Sequence, residues 1–244
     1  MIDRIVLDRK MKKGEEVRIE GPPLEALRFQ GARVGSLLTL TDSEGDDFRG
    51  RVLYFSKEGA TALIFDAFST CTESPLEIVL LQALPEKERM EWIIQKSTEL
   101  GVSNIVPFKS ERSISLEERE EKQKKAHRWQ AIAVKAVQQS RRAKVPRIEP
   151  YRTFQEALNF CGNEGLKILL WEKKGKSLRR ILRQNCPKKI YIMVGPEGGF
   201  TEGEAMLAEA KGFVSVKLGQ RILRTETAAM TLVGILQFEL GDLG

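Results

Sequence analysis

The chain has 244 residues, of which 41% are hydrophobic and 30% charged, and its net charge is +6 at pH 7. This composition is typical of a soluble globular protein, and neither a membrane span nor a signal peptide is visible, which predicts a cytoplasmic protein. Three scattered cysteines argue against a disulfide framework and a zinc site, and a single histidine excludes chemistry that needs paired histidines.

The first part of the chain is rich in short β-type runs. Residues 36 to 68 contain several of them, separated by the turn sequences S-E-G-D and K-E-G. Together with "IVLD" and "EEVRIE" upstream, they predict a small β-barrel over residues 1–72.

After residue 75 the pattern changes to strands that alternate with helices, which predicts a mostly parallel sheet in a second domain over residues 73–244. The predicted strands are 76–84, 104–108, 167–172, 189–194 and 215–218. The predicted helices are 86–100, 116–140, 176–185, 202–211 and 226–240.

A glycine-rich loop follows the strand at 189–194. It reads "GPEGGFTEGE" and leads into a helix, with Thr201 and Glu204 at the spacing of a capping box. Glycines expose backbone groups to a ligand, and the carboxyl end of a parallel strand is where open α/β sheets bind cofactors. Neither phosphate-loop motif is present and Glu197 would repel phosphate, so a neutral or cationic ligand such as the sulfonium of S-adenosylmethionine fits better. A tight turn that merely needs glycines is the alternative.

The next predicted strand ends in a similar loop, "GQRILRTETAA". Thr225 or Thr227 can cap the helix that follows, with Glu226 in its first turn. Capping does not explain Arg221 and Arg224. Two such loops at adjacent strand ends could form the walls of one pocket.

Basic residues concentrate at 138–147 and 172–189. Both clusters can be solvated helix faces, and for the second one contact with RNA is the alternative.

Six motifs occur in the same order as in a known family: "ESPL", "IIQKSTELGV", "PF-x-SERS", "QQS-x-R", "GPEGGFT-x-x-E" and "LG-x-RILRTETAA". They resemble the ribosomal RNA uridine-N3 methyltransferase family of the SPOUT superfamily. The resemblance implies an α/β fold with a trefoil-knotted methyltransferase domain at 73–244 and an RNA-binding, PUA-like β-barrel at 1–72. It also implies a homodimer that needs no metal.

By this resemblance the two loops hold S-adenosylmethionine, the methyl donor, largely through backbone groups. The substrate is then N3 of a uridine in 16S ribosomal RNA of the small subunit. The matching cofactor positions are Gly195, Pro196, Glu197, Gly198, Leu218, Gly219, Ile222, Leu223 and Arg224.

Methylation of N3 requires loss of an imide proton, which spreads negative charge over O2 and O4 of the uracil. A fixed cation would stabilise that anion, and Arg142 matches the family's arginine in Q-S-x-R. A phosphate contact is the alternative role for Arg142. Glu197, Glu226, or water and hydroxide are the candidates for the general base.

The RNA-binding candidates are Arg28, Arg33, Arg141, Arg142 and Arg221. This chain departs from the family at its amino-terminal end, which has no histidine, and in "QQSRR", where Gln138 replaces an acid and Arg141 replaces a glycine. Two other functions stay open: a SPOUT enzyme that methylates another atom or another RNA, and a non-catalytic RNA-binding assembly factor.

Overall fold

The computed structural model describes residues 2–44, 46–67, 73–113, 126–140, 142–183 and 187–244. The chain forms two compact units, Met1–Glu73 with Arg141–Val145, and Ser74–Ser140 with Pro146–Gly244. Three sequence predictions fall partly or wholly outside the described residues: the first ten residues of the helix over 116–140, the end of the helix at 176–185, and Arg141. No helix in the described ranges is both long enough and apolar enough to span a bilayer.

The first unit is built on a five-stranded sheet. Its strands are β1 (Ile2–Val6), β2 (Glu16–Ile19), β3 (Leu37–Thr41), β4 (Asp47–Phe55) and β5 (Ala60–Ala67). They lie in the order β1-β3-β4-β5-β2, and β1 runs parallel to β3 whereas the other pairs are antiparallel. The predicted meander over 36 to 68 is present as β3, β4 and β5. Its apolar residues form one core with Ile19, Leu38 and Ile64 fully or almost fully buried.

A helix in the first unit was not predicted from the sequence. α1 (Gly21–Phe29) begins with prolines in its first turn, where a missing N–H costs nothing because that group has no intrahelical partner. Leu24 and Leu27, three positions apart, are buried and attach the helix to the sheet. The Gly-Pro-Pro start resembles a loop, which is why the helix was missed.

The second unit contains a parallel sheet. Its strands are β6 (Glu77–Ala83), β7 (Asn104–Lys109), β8 (Arg147–Ile148), β9 (Arg152–Thr153), β10 (Leu166–Leu170), β11 (Lys189–Val194) and β12 (Val214–Val216). The order is β12-β10-β11-β6-β7-β8, with β9 also paired to β7, and every pair is parallel. The central strands are buried on both faces, as expected for a sheet covered by helices on each side.

The helices of this unit are α2 (Lys87–Glu99), α3 (Ala126–Ser140), α4 (Phe154–Phe160), α5 (Leu178–Arg183), α6 (Glu202–Ala210) and α7 (Thr225–Leu240). α2 packs against α3 and α7. α4 was not predicted, although Thr153 and Glu156 form a capping box at its start. The predicted capping box of Thr201 and Glu204 is confirmed at the start of α6.

Three aromatic rings fix the end of the glycine-rich loop. Phe200, the last residue of "GPEGGF", is buried and stacks on Phe108 with the ring centroids 6.4 Å apart. Phe154 contacts both rings. The loop therefore leaves β11 from a buried strand end and returns to a buried anchor, which limits its motion.

Candidate functional site

Three parallel strands end side by side in the second unit. β10 lies between β11 and β12, so the carboxyl ends of all three meet at one edge of the sheet. A cavity of about 620 Å³ opens there, lined by Leu170, Val194 and Val216 and by the loops that follow them. This edge is where open α/β sheets bind ligands, and the volume is in the usual range for a small-molecule site of about 300–1,000 Å³.

The first predicted loop forms one wall of this cavity. Gly195, Pro196, Glu197 and Gly198, the residues predicted to bind the cofactor in this loop, all line it. The backbone N–H of Gly199 donates to the carbonyl of Pro196 at 3.0 Å, and the chain leaves this turn with a φ of +65° at Gly199, a conformation that favours glycine. The glycines therefore serve the turn as well as the approach of a ligand.

The carboxylate of Glu197 is held by groups of the second unit. Its Oε1 accepts a hydrogen bond from the backbone N–H of Glu86 at 3.1 Å and lies 3.3 Å from Nη1 of Arg89, which also lines the cavity. An opposite charge at this distance offsets much of the negative charge of Glu197.

The second predicted loop forms another wall. Leu218, Ile222, Leu223 and Arg224 line the cavity. Gly219 lies between two lining residues and has a φ of +76°, which shapes the turn. Ile222 is 86% exposed although it is apolar, so it presents hydrophobic surface to a ligand at the mouth of the cavity.

Two arginines of the second loop face the same opening. Arg221 and Arg224 are exposed, line the cavity and form no ion pair with any residue in the described part of the chain. They are positive groups that a ligand or a nucleic acid can reach.

The predicted capping role of Thr225 is wrong, and so is that of Thr227. The N-cap position of α7 belongs to Arg224, and no side chain caps the helix there. Thr225 is the first residue of the helix, and its hydroxyl donates instead to the carbonyl of Gly195 at 2.6 Å. Nε2 of Gln82, at the end of β6, donates to the same hydroxyl oxygen at 3.0 Å. These bonds join the two loops, because Gly195 begins the first and Thr225 follows the second.

A third wall of the cavity was missed in the sequence. Trp171, Glu172 and Lys173 follow β10, the strand next to β11, and line the cavity. Trp171 is 8% exposed, and its buried indole Nε1 has no hydrogen-bond partner among the residues that the structure describes. A donor in that state is costly unless a ligand or water accepts its hydrogen bond. The sequence did contain a signal for this wall. The residues "WE" lie at the end of the predicted strand 167–172, just as the two recognised loops lie at the ends of predicted strands.

Arg142 is part of the first unit, and it is not among the residues that line the cavity. Its guanidinium donates to both carboxylate oxygens of Glu73, through Nη2 at 2.7 Å and Nε at 3.3 Å, and both side chains are largely buried. Glu73 also accepts from the backbone N–H groups of Ala143 and Lys144. The carboxylate thus fixes the direction of the Arg142 side chain as well as the turn that follows it.

Glu226 is the other carboxylate named as a candidate base. It lies in the first turn of α7, is 6% exposed and does not line the cavity. Its Oε2 is buried and has no hydrogen-bond partner in the described part of the chain.

The remaining RNA-binding candidates, Arg28 and Arg33, belong to the first unit, and both are exposed. Nη2 of Arg28 donates to the backbone carbonyls of Ser56 and Lys57, so part of its hydrogen-bonding capacity is used within the unit. Cys161 offers no nucleophile, because burial raises the pKa of its thiol to about 12.

Comparison with known proteins is consistent with this geometry. A family model described as an RNA methyltransferase domain matches residues 72–237. The chain is 30% identical over 211 residues to the ribosomal RNA small subunit methyltransferase E of Bacillus subtilis, covering 84% of this chain and 82% of that protein.

Two solved structures match over the whole length of both chains. One is a ribosomal RNA small subunit methyltransferase E from Neisseria gonorrhoeae bound to S-adenosyl methionine, with a TM-score of 0.74 and 35% identity. The other is a Legionella pneumophila protein in complex with the same cofactor, with a TM-score of 0.72 and 31% identity. The chain therefore belongs to the ribosomal RNA small subunit methyltransferase E family.

Proposed function

We propose that this protein transfers a methyl group from S-adenosylmethionine to N3 of one uridine in 16S ribosomal RNA. Its family makes it an S-adenosylmethionine-dependent methyltransferase of small-subunit ribosomal RNA. The choice of uracil N3 as the methylated atom goes beyond the family assignment. The observation that carries it is the cavity wall formed by "LGQRILRTETAA", the sequence that most resembles the uridine-N3 enzymes.

The cavity suits the cofactor. Its walls combine apolar side chains, such as Trp171 and Ile222, with exposed backbone groups of the glycine-rich loop. The buried Nε1 of Trp171 has no partner in the described part of the chain and is available to an acceptor. Glu172 supplies a carboxylate that can accept from hydroxyl donors. These are the polar groups that a nucleoside with a charged amino-acid tail needs.

When bound, S-adenosylmethionine supplies an electrophilic methyl group on a sulfonium. The protein then has three tasks: to hold N3 in line with that methyl, to stabilise the negative charge on the uracil oxygens, and to let the imide proton leave. We assign the second task to Arg142. The buried ion pair with Glu73 supports this role, since a guanidinium held in one orientation needs little reorganisation when charge develops.

The imide proton goes to water or hydroxide in this proposal. Glu197 lines the cavity, but Arg89 and a backbone N–H engage its carboxylate. Glu226 has an oxygen with no hydrogen-bond partner among the described residues, but it is buried and does not line the cavity. Arg89 thus offsets the charge of the candidate base that lines the cavity, and the other candidate, Glu226, does not line it.

We also propose how the parts of the chain share this work. Residues 1–72 would be a PUA-like barrel that binds RNA, and residues 73–244 a trefoil-knotted domain that carries out methyl transfer. The enzyme would act as a homodimer in the cytoplasm, where ribosomal subunits are assembled. The parallel sheet with its ligand cavity and the exposed Arg33 support this division.

The test is transfer of labelled methyl from S-adenosylmethionine to small ribosomal subunits that lack the modification, followed by nucleoside analysis. Recovery of 3-methyluridine is expected. A different methylated nucleoside would reject the N3 assignment and indicate another atom. Intact cofactor binding with no transfer to subunits or to naked RNA would reject the proposed substrate and favour a binding factor.

A further inference from the structure

The stretch of chain that begins at Lys173, a residue of the cavity wall, is rich in positive charge. Six of the eleven residues from 173 to 183 are Lys or Arg, and none is acidic. Five of them form what we call the basic surface, and all five are exposed: Lys174, Lys176, Arg179, Arg180 and Arg183.

The charges of the basic surface are not neutralised by the protein. Lys173, just before it, pairs with Glu202 at 3.5 Å, but none of the five forms an ion pair with a residue in the described ranges. Elsewhere exposed cations such as Arg18 and Lys96 have acidic partners. Several like charges close together repel one another, so an uncompensated group of this kind favours the binding of a polyanion.

The short helix α5 presents its arginines on one side. Leu178, Ile181 and Leu182 are buried, which leaves the arginines of the helix on the side that faces solvent. Arg179 and Arg183, one helical turn apart, line a cleft of about 370 Å³. Glu239 is the acidic residue in that cleft, and it lies beyond ion-pair distance of both arginines.

The lysines before α5 are held in place by the sheet. The backbone N–H of Lys176 donates to the carbonyl of Ser215 at 2.8 Å, and Lys176 pairs with Val216 at the end of β12. Gly175 lies so close to this strand that a Cβ there would be 2.5 Å from the backbone nitrogen of Lys217. Because Lys173 lines the cofactor cavity, the basic surface starts at the cavity's edge on a fixed backbone.

We propose that the basic surface binds the phosphate backbone of the RNA next to the nucleotide that enters the cavity. The inference rests on the proposed function and adds a contact region outside the first unit and outside the cofactor loops. Arginine guanidinium groups bind phosphate oxygens in pairs, and closely spaced cations release counterions from the RNA when they bind. Contacts of this kind position the substrate without reading its sequence.

The test compares two triple variants with the wild-type protein. One carries R179Q, R180Q and R183Q, which remove three charges, and the other carries R179K, R180K and R183K, which keep them. Lys135→Gln, at an exposed position on α3, is the single-charge control. Thermal unfolding and S-adenosylmethionine affinity check that each variant is folded and has an intact cavity.

The glutamine variant should bind a single-stranded fragment of small-subunit ribosomal RNA on the order of tenfold more weakly near 0.1 M salt. The slope of log affinity against log salt should fall in magnitude by about 2, since each phosphate contact on a single strand contributes about 0.7. In methyl transfer KM should rise and kcat should stay constant. The lysine variant should behave almost as wild type.

Unchanged RNA affinity and KM in the glutamine variant would overturn the inference. Equal losses in the lysine and glutamine variants would overturn it as well, because charge would then not be the cause. RNA affinity is measured without methyl transfer, so the two proposals can fail separately. If the wild-type protein methylates nothing but the glutamine variant still loses RNA affinity, the proposed function fails and the basic surface stands.

Discussion

The hydroxyl of Thr225 donates a hydrogen bond to the carbonyl oxygen of Gly195 across 2.6 Å, and this bond joins the two loops that line the cavity. Gln82 donates to the same hydroxyl at 3.0 Å, and Thr225 and Gln82 are both buried. Inside a protein, linked hydrogen bonds between groups shielded from water fix geometry strongly. Nε2 of Gln82 also lies 3.4 Å from the carbonyl oxygen of Gly195, so Thr225 and Gln82 together tie the first loop to the start of α7.

Replacing this threonine by valine should weaken cofactor binding. Thr225→Val keeps the shape of the side chain but leaves the carbonyl of Gly195 and Nε2 of Gln82 with one partner fewer. Loss of a buried partner costs about 1–3 kcal/mol, so we expect the Kd for S-adenosylmethionine to rise on the order of tenfold in calorimetric titration. Thr225→Ser, which retains the hydroxyl, should restore most of the affinity. A valine variant with wild-type affinity would show that the bond does not set the cavity.

Replacing Arg142 should affect methyl transfer and not cofactor binding. Arg142→Ala removes the proposed cation and should lower kcat by roughly 10²–10³-fold, the usual effect of losing one electrostatic donor. The Kd for S-adenosylmethionine should change little, because Arg142 does not line the cavity. Single-turnover methylation of small subunits and cofactor titration measure the two quantities.

The buried partner of Arg142 makes controls necessary. Removing Arg142 leaves the carboxylate of Glu73 uncompensated, which can destabilise the protein by about 3–5 kcal/mol. Arg142→Lys keeps a charge and should fold well, yet it should still lose activity because it cannot form the two-point contact. Lys144→Ala, at an exposed position nearby, should behave as wild type. Equal losses of turnover and of cofactor affinity would reject the role of Arg142.

Removing the two candidate bases should have small effects. A positioned general base contributes about 10²–10⁴-fold, whereas we expect Glu197→Gln and Glu226→Gln each to lower kcat by less than about tenfold. The reason is that the carboxylate of Glu197 is engaged by Arg89 and that Glu226 lies outside the cavity lining. The pH profile of kcat for each variant provides the check. A hundredfold loss of kcat, together with loss of the decline in kcat at low pH, would identify that residue as the base.

Two walls of the cavity were predictable from the sequence, because the loops that form them combine glycines with a strand end. The capping box at Thr201 is equally local, since the two residues that form it are three positions apart. The role of Thr225 was not predictable. Its partner is Gly195, 30 positions away, and only the parallel order of the strands brings the two together.

The two helices that were not predicted, α1 and α4, were missed for different physical reasons. α1 starts at a Gly-Pro-Pro sequence that also suits a turn, and its identity depends on burying Leu24 and Leu27 against a sheet formed by distant strands. α4 is short but has a local signal in Thr153 and Glu156, so it could have been found. The ion pair of Arg142 with Glu73 joins two motifs about seventy residues apart, a distance over which sequence patterns carry no geometric information.

Replacing Trp171 should separate cofactor affinity from folding stability. Trp171→Phe removes the indole N–H while keeping an aromatic ring in the cavity wall. Nε1 is buried without a partner in the described part of the chain, so its removal breaks no hydrogen bond there. The thermal stability of the cofactor-free protein should therefore not fall for that reason. If the N–H donates to bound S-adenosylmethionine, the Kd should rise several-fold, in line with about 0.5–1.5 kcal/mol for one hydrogen bond. The melting temperature should then increase less on adding cofactor than it does for the wild-type protein. Unchanged affinity would mean that water, and not the cofactor, accepts this hydrogen bond.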